Sequence, residues 1–192
     1  MNIMEHAFTV VRDHFQKAQP TCGLILGSGW SEVIEAFEIH HSIGYEEIPG
    51  LGKTGVVGHA GRLVHGICGG LETLIFQGRR HWYEGEGWDP IILPIYVLKK
   101  MGVTTLVLTN AAGGVRSDLK PGDLMIIDDH INNMPSNPLI GPHLPIWGPR
   151  FPDQTAVYNP DLRNTLEHAA KSVDETLYRG VYLEHLTIEM PR

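Results

Sequence analysis

Short apolar runs that stop at glycine-rich turns alternate with amphipathic stretches along this chain, and that alternation restricts the fold more than any other feature. A buried strand needs a brief apolar run, whereas a helix lying on a sheet needs a one-sided apolar stripe, so the pattern specifies an α/β architecture. Residues 24–26 read as a buried strand, and 31–37, with Val33, Ile34 and Phe37 on one face, as the helix after it. Gly27-Ser28-Gly29 is then the turn between them. Residues 62–68 and 72–76 read as two strands closed into a hairpin by Gly69-Gly70-Leu71. Residues 95–101 are helical in pattern and end at Gly102, before a buried strand at 105–109. Further strands are expected at 124–128 and 180–183, with a helix at 161–173 between them. The proline, glycine and asparagine of 132–152 mark a long surface loop.

Composition sets outer limits. With 42% hydrophobic and 19% charged residues over 192 positions, the chain can bury a core of its own. A net charge of -7 opposes a broad grip on nucleic acid, yet leaves room for a compact cationic pocket. Both cysteines, Cys22 and Cys68, lie in apolar runs and suit reduced thiols, so a cytoplasmic location is expected. Near the N-terminus, Ala7, Phe8, Val11 and Phe15 recur at helical spacing but are interrupted by Glu5, Arg12, Asp13 and His14, which rules out a secretory apolar core there. No apolar stretch is long enough to cross a bilayer, and no membrane partner is expected.

Three loops follow predicted strands and carry Ser28, Arg79, Arg80, His81, Tyr83 and Asn110. Ligands of open α/β sheets bind outside such strand ends. The first loop offers a hydroxyl and backbone amides at the start of the expected helix, an anion cradle; a glycine-permitted tight turn accounts for it equally well. The second, Q-G-R-R-H-W-Y-E-G at 77–85, sets arginine forks for phosphate oxygens beside a histidine that Glu84 can orient, although a solvated charged turn has the same composition. The third, T-N-A-A-G-G at 109–114, lets backbone amides approach a ligand closely. Convergence of the three favours a phosphate-handling site. Asp128-Asp129-His130 and His40-His41 lack a complete ligand set, and no metal is expected.

The segments G-S-G at 27–29, I-P-G at 48–50, G-H-A-G-R-L-V at 58–64, Q-G-R at 77–79, H-W-Y-E-G at 81–85, T-N-A-A-G-G at 109–114, D-H-I-N at 129–132 and N-P-L at 137–139 resemble, in order and spacing, the trimeric class of purine nucleoside phosphorylases. Methylthioadenosine phosphorylases usually carry different residues in the third and sixth of these. The resemblance implies a single-domain fold with a central mixed β-sheet flanked by helices, and reversible phosphorolysis of purine nucleosides in purine salvage. It implies that Ser28, His59, Arg79, His81 and the Ala111 amide bind phosphate, with His81 catalytic. It further implies that Tyr83 touches the ribose, that Ala112 lines the purine side, and that Trp147 closes the pocket of a neighbouring subunit in a homotrimer. Inorganic phosphate is then a co-substrate and no cofactor is required.

The resemblance runs to about residue 183, so residues 1–183 are expected to form an incomplete phosphorylase domain and 184–192 an unrelated tail. Past that point the family continues with a purine-binding glutamate and asparagine, a ribose-contacting methionine and a further phosphate-contacting serine, where this chain reads E-H-L-T-I-E-M-P-R. Arg80 and Arg116 depart from the family, which often has an apolar residue and an asparagine there. The alternative to an active phosphorylase is an inactive remnant that binds phosphate or associates with full-length subunits.

Overall fold

A computed structural model describes residues 2–53 and 60–185. The chain resolves into two compact units, Met1–Ala112 and Gly113–Arg192.

The first unit opens with α1 (Ile3–His14), whose N-terminus is capped by the Asn2 side chain accepting from the Met4 amide at 3.1 Å. Its buried face is Met4, Ala7 and Val11. Next comes β1 (Cys22–Leu26), buried at all five positions because it has a parallel neighbour on each side. The sheet order is β2-β3-β4-β1-β5, with β2 at Glu38–Gly44, β3 at Arg62–Cys68, β4 at Leu71–Gln77 and β5 at Thr105–Leu108. β2, β3 and β4 pair antiparallel, so the sheet is mixed, as expected. The β3–β4 hairpin turns on Gly69 and Gly70, at φ 57° and 79°; two consecutive left-handed residues match the twist of the flanking strands, and glycine adopts them without strain. α2 (Asp89–Lys100) connects β4 to β5, which flank β1. The core on one face gathers Leu24, Leu26, Val64 and Ile75, with Trp30, Val33, Ile34, Phe37 and Val107 packed against it. α1 lies along α2, where Glu5 accepts from the Tyr96 hydroxyl and from Lys100.

Several elements differ from the sequence reading. The strand expected to be buried at 105–109 ends the sheet and leaves Leu106 and Leu108 exposed, and the strands expected at 124–128 and 180–183 extend over 124–133 and 177–185. Residues 31–37 do not make an α-helix: Ser31–Ala36 is a 3-10 helix with no side-chain cap, so the dipole-assisted anion cradle expected at Ser28 has no helix behind it. Trp30 Nε1 donates instead to the Asn110 carbonyl at 3.3 Å, which ties the segment down sideways. α2 starts six residues before its predicted start at 95, since Pro90 falls in the first turn, where its missing N–H costs nothing, and Pro94 is absorbed one turn later. β2 was not anticipated; it is an edge strand, exposed from Glu38 to Ser42, with a bulge between Ile39 and His41. Its His40-His41-Ser42 centre breaks the apolar alternation by which strands are read.

In the second unit, β6 (Leu124–Asn133) and β7 (Leu177–His185) pair parallel, and α3 (Pro160–Ser172) connects them. Asn159 caps α3 by accepting from the amides of Asp161 (2.8 Å) and Leu162 (3.1 Å). Asp128 of β6 accepts from both Arg163 of α3 and Arg179 of β7, while Arg179 also meets Glu167 at 3.1 Å. The Arg179 hydrogen bond above all, with Arg163 behind it, holds the Asp128 carboxyl below its ordinary range. Among the described residues no helix is long and apolar enough to cross a membrane.

Candidate active site

β4, β1 and β5 are adjacent and parallel, with Leu26 opposite Gln77 and Ile25 opposite Leu108. Their carboxyl ends therefore finish level, and the three loops singled out from the sequence leave from one edge of the sheet. Contacts between the loops are direct. The Gly27 amide donates to Thr109 Oγ1 at 3.0 Å, and Arg79 Nη1 donates to the Thr109 carbonyl at 2.6 Å. A Cβ on Gly27 would lie 2.4 Å from that carbonyl, 2.9 Å from Asn110 Cα and 3.1 Å from Arg79 Nη1, so loops one, two and three meet within a few ångströms of this atom. Ser28, exposed, follows Gly27 directly; Ala111 and Ala112, also exposed, follow Asn110.

The second loop is held from several directions. The buried Tyr45 hydroxyl donates to the Gly78 carbonyl at 2.7 Å, and burial pushes that phenol well above its ordinary pKa. Trp82–Glu84 forms a single 3-10 turn in which Glu84 Oε1 accepts from the His81 amide at 2.6 Å and lies 3.3 Å from His81 Nδ1. Glu84 thus orients the histidine, as its spacing suggested. The Tyr83 ring stacks on that of His81 at 5.0 Å and is 62% exposed, so one of its faces remains available to a ligand. Arg80, grouped by the sequence with the phosphate-facing loop residues and noted as a departure from the family, is instead buried with its guanidinium shared among Glu84, Glu86 and the Leu51 carbonyl. Only the two acidic residues four and six places after it could have signalled this.

Two sequence-derived candidates stand apart. His59 lies outside the described residues. Trp147 belongs to the second unit, where it is half-buried at the end of the 3-10 turn Pro145–Trp147. Asp129 and His130 are occupied locally: Asp129 accepts from the His130 amide, and His130 Nδ1 is 3.2 Å from the Tyr158 hydroxyl. Among the described residues no group of three or more histidine, cysteine or acidic side chains is arranged to hold a metal ion.

The phosphorylase superfamily pattern matches residues 21–184, from just before β1 to within one residue of the end of β7. This chain belongs to the phosphorylase superfamily. Within the superfamily it is 43% identical over 180 residues to purine nucleoside phosphorylase 1 of Geobacillus stearothermophilus, covering 94% of this chain and 65% of that one. It superposes on a purine nucleoside phosphorylase of Schistosoma mansoni solved with acetate at a TM-score of 0.87, with 34% identity over 95% of this chain and 69% of that chain. Isoform 2 from the same organism, solved with cytosine and ribose-1-phosphate, gives a TM-score of 0.85 and 38% identity over 97% of this chain and 68% of that chain. The chain thus spans about two thirds of the length of its superfamily relatives.

Proposed function

We propose that this protein is a purine nucleoside phosphorylase, which uses inorganic phosphate to split a purine nucleoside into free base and pentose 1-phosphate. The observation that carries this reading is the meeting of Gly27, Arg79 and Thr109–Asn110 at the ends of three parallel strands, which sets a guanidinium among backbone groups of glycine- and alanine-rich loops. Such a setting suits a phosphate dianion, for which charge-assisted donors and fixed backbone amides are the strong ligands. Ser28, Arg79, His81 and the Ala111 amide, with His59, hold phosphate; His81, oriented by Glu84, manages its proton. Tyr83 faces the pentose and Ala112 the purine. Phosphate approaches the anomeric carbon as the base departs, and its negative charge stabilises the cation-like sugar between them. Holding both reactants in one pocket removes up to about 7–11 kcal/mol of the barrier. Phosphate is a co-substrate, and no cofactor or metal enters the reaction.

The finer assignments follow from the same likeness. The protein works as a homotrimer in which Trp147 covers a neighbour's nucleoside, and it acts in the cytoplasm, where the free thiols of Cys22 and Cys68 stay reduced. A second reading is that the 192-residue chain binds phosphate or joins full-length subunits without turnover. One assay separates the two: inosine or guanosine is mixed with the purified chain, with and without phosphate, and release of hypoxanthine or guanine is followed. Phosphate-dependent release supports the phosphorylase. Release without phosphate points to a hydrolase, and a phosphate-raised melting temperature without any release supports the remnant.

A further inference from the structure

Arg80 is a buried charge that the reaction outlined above does not use. Its side chain is 3% exposed, and each nitrogen has its own acceptor: Nε donates to Glu84 Oε2 at 3.0 Å, Nη2 meets Glu86 Oε1 at 2.5 Å, and Nη1 donates to the Leu51 carbonyl at 2.9 Å. Taking a guanidinium out of water is costly unless it is paired in good geometry, and here each of its three nitrogens has a partner. Room is left for it, since a Cβ on Gly52 would come within 3.2 Å of Nη1.

Glu84 is the middle of a relay. Its side chain is 10% exposed and its two oxygens are divided, Oε2 to Arg80 and Oε1 to the backbone and ring of His81. A carboxylate gripped at one oxygen by a planar fork cannot rotate without losing that bond, so the other oxygen stays aimed at Nδ1. Nδ1 held in this way leaves Nε2 as the ring atom that exchanges a proton with a ligand. Around His81 stand, among other groups, Glu84 and the Tyr83 ring, with Arg80 and Glu86 behind Glu84.

We propose that Arg80 is a positioning residue: through Glu84 it keeps the His81 imidazole charged more readily and aimed in one direction, while its bond to Leu51 fixes the 48–53 turn beside the same loop. The inference rests on the phosphorylase reading for the role of His81, but not for the linkage itself. Without the arginine, a carboxylate this buried is driven toward its neutral form and no longer supports an imidazolium.

The test is an NMR titration of the His81 ring in phosphate-free buffer, using the full chain and the variants Arg80→Met, Glu84→Gln and the two combined. Arg80→Met is expected to lower the His81 midpoint by at least about half a pH unit, about threefold in proton affinity. In the Glu84→Gln background the same substitution should add nothing, because the route runs through Glu84. A midpoint that stays or rises in Arg80→Met, or an equal displacement in both backgrounds, overturns the proposal. Should Arg80→Met not fold, Arg80→Gln carries the same comparison, since it also removes the charge while keeping a polar group in the buried site. Adding inorganic phosphate to the unmodified chain separates the two readings: an unperturbed His81 resonance sinks the phosphorylase assignment, while the titration midpoints still judge Arg80.

Discussion

Replacing Gly27 by alanine places a methyl carbon 2.4 Å from the Thr109 carbonyl oxygen and 2.9 Å from Asn110 Cα. Ordinary van der Waals contact begins near 3.4 Å, so the end of β1 and the start of the third loop must part by about 1.0 Å (3.4 − 2.4). Both obstacles are backbone, and neither can swing aside as a side-chain tip would. Overpacking of this kind costs about 1–3 kcal/mol. The parting also stretches the 3.0 Å bond from the Gly27 amide to Thr109 Oγ1, which adds about 1 kcal/mol and gives a total near 2–4 kcal/mol. Gly29→Ala is the matched control: nothing lies within 4 Å of its Cβ, so only the left-handed backbone at φ 84° is penalised, by about 1–2 kcal/mol. Urea unfolding of the 192-residue chain and both variants measures the stability, and calorimetric titration with inorganic phosphate measures the site. Gly27→Ala should show the larger loss of stability, together with at least about a tenfold loss of phosphate affinity, since Arg79 and the Asn110–Ala111 backbone shift with Thr109. A Gly27→Ala chain within about 0.5 kcal/mol of the parent, or one that binds phosphate as before, would refute the close meeting of the three loops.

Arg79→Met should weaken phosphate binding by about 10–100-fold, the worth of a charge-assisted hydrogen bond, and calorimetry at constant salt reads this directly. Asp128 has a depressed pKa, so its contribution to stability is present above the ordinary value of 3.8 and fades as pH falls through the lower folded value. Asp128→Asn should therefore be less stable than the parent at neutral pH and indistinguishable from it in strong acid, in urea melts across the acid range. Burial, and then the bond to Glu5, push the Tyr96 phenol up to about 12, so its contribution is full below 10.0 and lost as pH rises toward 12. Absorbance at 295 nm should show a tyrosine ionising near 12 that is lost in Tyr96→Phe, while the more deeply buried Tyr45 ionises later still in both proteins. If Trp147 caps a neighbour's pocket, Trp147→Ala should raise KM for inosine several-fold and leave the phosphate Kd unchanged.

Where a segment's own residues decide its form, the sequence was readable. β3 matches its predicted bounds because Gly69-Gly70 permits only a tight hairpin, and β1 and β5 are apolar runs with no competing pattern. Partners elsewhere in the chain decided the rest. Residues 31–36 have the stripe of a helix but are too short to sustain one, and Trp30 is drawn toward Asn110. α2 hides behind Pro90 and Pro94, whose meaning depends on where the first turn begins. Within the site, the pairing of His81 with Glu84 could be read from a spacing of three, whereas Arg79 reaching Thr109 across thirty residues could not. Arg80 shows the limit best: a comparison of residue types marks it as an oddity, and only its burial among Glu84, Glu86 and Leu51 gives it a task.

The bulge between Ile39 and His41 lies on the strand that ends the sheet at one side. An outermost strand with a regular ladder is a template on which a second molecule can continue the pairing, and Ile39, 45% exposed, would otherwise invite it. The extra residue twists the strand and interrupts the run of outward-pointing amides. This border of the protein is thereby guarded against stacking into fibrils, which matters most near the isoelectric point of about 5.8, where little net charge is left to keep molecules apart.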